Sequence, residues 1–421
     1  MTTDRSTVSP LRRLSLAIAA LLALTACTPS VSAPTPPPAT KQAGQPAATS
    51  PAVVAVATPT SAPTATTTPA TPTVAPTATA QPRAEQGNIV WVLQGDLWTI
   101  SPDGKNEKRL TNDGGYSTPR WSPDASRLVF VQGVGKQARL GLMNADGSGK
   151  RLLAGFPSAG DTDPVWSPRG NAIAFVRTPD TNGDGNLDLR DEAEVWLVDG
   201  DGKNPRRLAL GRDPAWAPEG LRLAYATNGV LSGAPPYRHG NAINVINSQG
   251  QNEWTLLTVD KVPAQIKVGD FTLSPATNLL KEPAWRPDGE RIALTTNGHT
   301  GLVLTISLKA TDLQVIDTSY EGGFGRALWS PLGDLLAYEA QPPSGVGEIG
   351  VADAARNKVA ALGGVRKGLH ITEIAWAPDG AQLAFAQVEA EPYLGSAPPV
   401  GASVKPIYWG PSRWPDWGRK R

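Results

Sequence analysis

The sequence predicts an all-β fold, a β-propeller, on three observations. The first is a phrase written six times. The copies are PRWSPDASRLVFV from Pro119, PVWSPRGNAIAFV from Pro164, PAWAPEGLRLAYA from Pro214, PAWRPDGERIALT from Pro283, ALWSPLGDLLAYE from Ala327 and IAWAPDGAQLAFA from Ile374. The second is its period. The tryptophans Trp121, Trp166, Trp216, Trp285, Trp329 and Trp376 are separated by 45, 50, 69, 44 and 47 residues. A repeat of about 40–50 residues with a hairpin signal marks an architecture of one small sheet per repeat. The third is the local pattern. Trp, a small or polar residue, Pro and turn residues lead into a run rich in β-branched and aromatic side chains, which reads as strand–turn–strand.

Taken in chain order, residues 1–26 read as a signal rather than as fold. Arg12 and Arg13 precede an apolar stretch, Leu14 to Leu24, of signal-peptide length and too short for a spanning helix. It ends Leu24-Thr25-Ala26-Cys27 and resembles a bacterial lipobox, in which the cysteine is lipidated and becomes the new N-terminus. Cys27 is the only cysteine of 421 residues, so no disulfide within the chain is expected. Residues 27–86 are rich in Pro, Thr, Ala, Ser and Val, without aromatics and with few charges. Such a segment buries too little apolar surface to offset its ordering entropy, and its prolines favour polyproline II. It reads as a disordered, semi-rigid tether, about 3.1 Å per residue where extended.

Residues 87–421 form the folded domain. Within each unit the Trp closes the innermost strand and the Pro-Asp-Gly-like turn follows. A second strand such as Arg127–Val131 and a third such as Glu194–Val198 come next. Tight turns at Ser101–Gly104, Asn144–Gly147 and Asp199–Gly202 lead to the outermost strand, their Asp-Gly pairs supplying the positive φ that short hairpins need. The repeated Trp fits packing between blades. Residues 88–100 supply a second and a third strand with no innermost strand ahead of them, and Arg413–Gly418 supplies an innermost strand with nothing after it. Joining the two closes the ring and removes open sheet edges. The repeat count is then seven blades, with six as the alternative. The last blade is poorly formed in sequence, lacking a clear outermost strand.

The WSPDG-type phrase with its downstream aliphatic-aromatic strand is similar to the repeat of TolB-like propellers, and Trp414-Pro-Asp-Trp417 resembles their closing strand. That resemblance covers about residues 87–418 and implies a fold and a habit of binding. The chain departs from it in having a tether where TolB has a small α/β domain, and a seventh repeat where six are usual.

Strand direction alternates across a blade, so the loops after the second and fourth strands share one face of the disc. The long insertions fall there, at 177–193, 228–240, 259–282, 341–347 and 388–404. Loops this long are usually functional or disordered. Three residues before each repeat Trp stand Thr118, Asp163, Asp213, Glu282, Arg326 and Glu373, which should make the channel mouth on that face electronegative and attractive to a basic partner. Tyr237 and Phe271, within the insertions, are candidate anchors. The first insertion contains Asp180, Asn182, Asp184, Gly185, Asn186, Asp188 and Asp191, a D-x-[DN]-x-[DN]-G pattern with a carboxylate at the twelfth place. Alternate residues of such a loop supply the oxygens that Ca²⁺ requires. Asn186 would contribute its backbone carbonyl and Asp188 would act through water. The pattern is similar to EF-hand loops, in which a bidentate Glu stands at the place of Asp191, and an Asp there resembles dockerin loops, so Ca²⁺ in a structural role is expected.

The chain carries 39 Lys+Arg, 38 Asp+Glu and 3 His, a net charge of +1 without a basic stripe, which argues against nucleic acid. No G-x-S-x-G, H-E-x-x-H or P-loop pattern occurs. His239, His299 and His370 are scattered over different blades. The expected function is therefore a lipid-anchored, extracytoplasmic binding module of the bacterial envelope, not an enzyme, with a protein, peptide or cell-wall polymer as partner. The alternative is a propeller-type glycan- or peptide-processing enzyme using the loop face, with Tyr237, Arg238 and His239 as the local hint.

Overall fold

Seven four-stranded antiparallel sheets follow one another around an axis, each starting at the axis and running outward. The computed structural model describes residues 86–419 apart from 233–236, 269–270, 274–278, 298–299, 321–322, 342–347, 354–357, 362–370, 388–392, 400–404 and 410–411. Blade 1 has Tyr116–Trp121 innermost, then Arg127–Gln132, Arg139–Asn144 and Arg151–Leu152. The innermost strands of blades 2 to 6 are Ala159–Trp166, Arg212–Trp216, Leu279–Trp285, Gly323–Trp329 and Ile371–Trp376. The closing blade takes its innermost strand, Ser412–Arg419, from one end of the domain. Its other three, Gln86–Leu93, Asp96–Ile100 and Lys108–Arg109, come from the other end. The seven-blade count and the closure expected from sequence are both present.

The turn after each innermost strand is built alike. Gly170, Gly220, Gly289, Gly333 and Gly380 each donate their N–H three residues back, at 2.8–2.9 Å, to the carbonyl of the residue following the repeat Trp. All five have φ between 68 and 74°, the left-handed region that Gly enters without a Cβ penalty. In blade 1 Ala125 takes the same place at φ 52°.

The apolar core is divided among the interfaces between blades. Seven clusters of buried side chains correspond to seven interfaces. Alternation along a strand explains this, since successive residues face opposite sides of the sheet. Val129 and Val131 meet Trp166 and Phe175 of blade 2, while Leu128 and Phe130 meet Val90 and Val92 of the closing blade. The repeat Trp adds a polar link at several interfaces. Trp166, Trp216, Trp285 and Trp376 donate their Nε1–H to the carbonyls of Arg120, Val165, Ala215 and Leu328, at 3.2, 3.2, 3.0 and 2.9 Å. In every case the acceptor is the residue before the Trp of the preceding blade.

Two sequence expectations need correction. The stretch 388–404 is not one insertion, because it contains the third strand of blade 6, Tyr393–Ala397. That blade also has an outermost strand, Lys405–Trp409, which pairs with Tyr393–Ala397. The Pro/Gly-rich composition hid both. Leu394 nevertheless packs fully buried against the closing blade, and Gly395 lies opposite Phe385.

Candidate functional site

Every innermost strand shifts register just before its Trp. At these bulges Thr118, Asp163, Asp213, Glu282, Glu373 and Trp414 have φ between 44 and 60°. A left-handed non-glycine residue costs roughly 1–2 kcal/mol, and six of them ring one channel mouth. Two of the bulge N–H groups are met by carboxylates from the preceding blade. Glu282 N donates to Asp213 Oδ2 at 3.1 Å, and Trp414 N donates to Glu373 Oε2. Two further links have the same form. Trp121 N donates to Asp416 Oδ2 at 2.7 Å and Ile374 N to Glu339 Oε1 at 3.1 Å. These carboxylates therefore fasten four of the seven blade junctions as well as charging the channel.

The mouth opens into a cavity of about 220 Å³ lined by Thr118, Arg120, Asp163, Asp213, Glu282, Arg326, Glu339, Glu373 and Trp414. Five carboxyl groups stand against two guanidinium groups. Arg326 Nε lies 3.5 Å from Glu282 Oε2. Arg120 and Arg326 also line the space below, where Trp121, Trp166, Trp329, Trp376 and Asp416 surround the opposite end of the channel. Burial pushes Glu373 up to about 7, and burial together with the Glu373 charge pushes Glu339 up to about 7. Asp213 is raised by burial and then by Glu282 and Asp163. Such a wall attracts a cation and surrenders protons reluctantly.

The structure brings Asp163, Asp213, Glu282, Glu373 and Arg326 together as the repeat spacing implied. It adds Glu339 and Arg120, which the sequence reading missed. Glu339 had a readable signal: its register place in the second strand is held by Val131, Val176, Ala226, Thr295 and Ala386 in the other repeats. It is 6% exposed, and Gly325 makes room for it, since a Cβ there would lie 2.1 Å from Glu339 Oε2. Tyr237 and Phe271 lie in two short hairpins, Val230–Ser232 with Tyr237–His239 and Ile266–Val268 with Phe271–Leu273. Their side chains, Cys27, His299 and His370 lie outside the described residues.

The 180–191 loop joins the second and third strands of blade 2, Ala172–Pro179 and Glu194–Asp199. Asp191 is fully buried and holds the loop closed, accepting from Thr181 N at 2.9 Å and Asp188 N at 3.1 Å. Asp180 accepts from Gly183 N and Gly185 N at 2.8 and 3.1 Å, and Asp184 Oδ1 accepts from Asn186 N at 2.8 Å. Lys136 Nζ sits 2.6 Å from Asp180, and Arg190 sits 2.7 and 2.5 Å from Asp184 and Asp188. Hydrogen bonding from these cations lowers the carboxyls of Asp180 and Asp188 below their ordinary range. Among the described residues no three His, Cys, Asp or Glu side chains converge in a metal-holding group.

These features define a seven-bladed β-propeller with one acidic channel mouth. No family model matches the chain. The Tol-Pal system protein TolB of Rhizorhabdus wittichii is 38% identical over 89 residues, 20% of this chain and 18% of that protein. The chain thus spans under a fifth of the length of that curated relative, and the likeness supports TolB-like repeats. Among solved structures, an oligogalacturonate lyase in complex with manganese superposes with a TM-score of 0.56 at 12% identity, covering 72% of this chain and 83% of that one. A puromycin hydrolase mutant superposes with a TM-score of 0.55 at 14% identity, covering 78% and 54%. At these identities both share the propeller fold alone.

Proposed function

We propose that the chain is an extracytoplasmic binding module, anchored by a lipid on Cys27, whose propeller recognises a basic protein or peptide at the acidic channel mouth. The observation that carries this reading is the cavity of five carboxyl groups against two guanidinium groups on the face that bears the insertions. TolB similarity over 89 residues supports an envelope setting and a protein partner. No observation on the channel favours the enzymatic alternative. The test is capture of partners from envelope extract by the full chain and by an Asp163→Asn, Asp213→Asn, Glu282→Gln, Glu373→Gln variant. The amide isosteres keep hydrogen-bond acceptors for the bulge N–H groups. Loss of capture by the variant, and loss by wild type at high salt, are expected; capture indifferent to both would remove the reading. Anchoring is tested by Cys27→Ala, which should abolish fatty-acid labelling and membrane fractionation.

We also propose that the 180–191 loop binds Ca²⁺ to order the first insertion. The donor set fits: Asp180, Asn182, Asp184, the Asn186 carbonyl, Asp188 and Asp191 are hard oxygen ligands at the spacing that calcium loops use. Gly183 and Gly185 supply left-handed turns, with φ of 73 and 89°. Lys136 and Arg190 provide the positive charge among these carboxylates in the structure, and Ca²⁺ would displace them.

A further inference from the structure

The insertions do not cover the face evenly. The closing blade turns from its second to its third strand through Gln94 and Gly95 alone, and blade 1 does so through residues 133–138 with a single 3-10 turn, Gly135–Gln137. Between these low turns lies a groove of about 590 Å³ whose apolar walls are Val92, Tyr116, Val131, Val134, Ala138 and Trp414. Glycines form much of the rest, Arg413 stands at the Trp414 ring as the groove's one charged lining residue among those described, and a Cβ at Gly135 would meet nothing within 4 Å. Val134 is 77% exposed, the highest value among the exposed large apolar residues described. Trp414 lines both this groove and the acidic cavity, so the two are one continuous surface.

We infer that this groove and the acidic cavity together receive one extended peptide segment of a partner protein, which places an apolar side chain against Val134 and Trp414 and a Lys or Arg in the carboxylate cavity. The inference rests on the binding-module reading above and narrows it. The groove supplies apolar area at a site that no insertion covers among the described residues, and the adjoining cavity supplies the charge complement. Five carboxyl groups against two guanidinium groups select a cation there, and the shared Trp414 lets one short segment reach both parts. Docking is thereby assigned to the low sector over the closing blade and blade 1. It is not assigned to the tall insertions over blades 2 and 3.

The test is selection of a phage-displayed random peptide library on the full chain in detergent, followed by titration of the best synthetic peptide. The expected consensus holds an apolar residue and a Lys or Arg. Val134→Asp, a substitution at an exposed position that leaves the melting temperature unchanged, should weaken that peptide about tenfold or more. Asp163→Asn with Glu373→Gln should weaken it and flatten its salt dependence. Hydrogen-exchange protection should fall on residues 113–117, 133–138 and 412–414. No enrichment, a consensus without a basic residue, or full affinity in Val134→Asp would overturn the inference. A peptide sensitive to the carboxylate changes but not to Val134→Asp removes the groove and leaves the module reading standing; indifference to both removes both.

Discussion

Trp285 and Trp329 hold the same place in adjacent blades, and the structure treats them differently. Both are buried, and both carry an arginine over the ring, Arg222 at 5.1 Å and Arg286 at 5.4 Å. Trp285 Nε1 donates to the Ala215 carbonyl at 3.0 Å, whereas Trp329 Nε1 is buried without a partner among the described residues. Replacing Trp285 by Phe removes a buried indole–carbonyl hydrogen bond, and replacing Trp329 by Phe removes an orphan donor. Trp285→Phe should therefore destabilise by about 1 kcal/mol more than Trp329→Phe in urea unfolding. Equal losses would show that the indole–carbonyl link contributes little. A backbone counterpart is Gly170, at φ 69°, where a Cβ would meet only Pro123 at 3.8 Å. Gly170→Ala should cost roughly 1–2 kcal/mol from the left-handed conformation alone. The sequence showed that the repeat Trp packs between blades. It could not show the indole acceptors, which lie 46 to 70 residues back and meet the ring only once blades stack. Asp163, Asp213, Glu282 and Glu373 were legible because they share one column of the repeat. The second role of Asp213 and Glu373, accepting a bulge N–H from the next blade, was not, because sequence spacing does not reveal a left-handed bulge.

The loop of residues 180–191 is the element whose chemistry was most readable, since ligand spacing in a calcium loop is local. What the spacing could not reveal is Lys136, 44 residues away in sequence, standing on Asp180. If Ca²⁺ displaces it, calcium should raise the melting temperature of the folded chain, the added unfolding free energy being about 2.7 kcal/mol at a hundredfold excess over Kd. Extracellular loops of this type bind at roughly 10⁻⁴–10⁻³ M. Asp180→Ala with Asp184→Ala should abolish the shift, and Lys136→Met should move the calcium midpoint to lower concentration. Identical melting in calcium and in EDTA would dismiss the site. Blade 6 shows the opposite case. Its third strand, Tyr393–Ala397, was lost in a Pro/Gly-rich stretch, because strand formation there depends on Leu394 reaching the closing blade rather than on local propensity.

Across the whole molecule the channel carboxyls set a pH dependence opposite to that of ion-paired and hydrogen-bonded acids outside the channel. Glu339 and Glu373 titrate at about 7 in the fold against an ordinary 4.5, and Asp213 is raised as well. Between those values the folded chain holds protons that the unfolded chain has released, so their contribution to stability falls as pH rises. Asp96, Asp113 and Asp124 are lowered, so their contribution is lost only as pH drops through the acid range. The melting temperature should thus decline from about pH 5.5 to about pH 8, and Glu339→Gln should flatten the decline. A rise over that window would contradict the burial of these groups. Seven blades and their closure were legible because repeats are counted in sequence. That Trp414 joins the low sector to the channel was not, since it depends on how the closing strand sits beside blade 1.

Ring closure also has a mechanical consequence. Any pull carried along the chain from residue 85 reaches the domain at Gln86–Leu93, which is not an edge strand. It is paired with Ser412–Arg419 on one side and Asp96–Ile100 on the other. Trp417 Nε1 donates to the Gly87 carbonyl at 3.1 Å, one residue inside the point where the load arrives. Peeling this strand away must break two ladders together. The same clasp that completes the ring therefore acts as the grip by which the domain resists being torn from whatever holds the chain upstream.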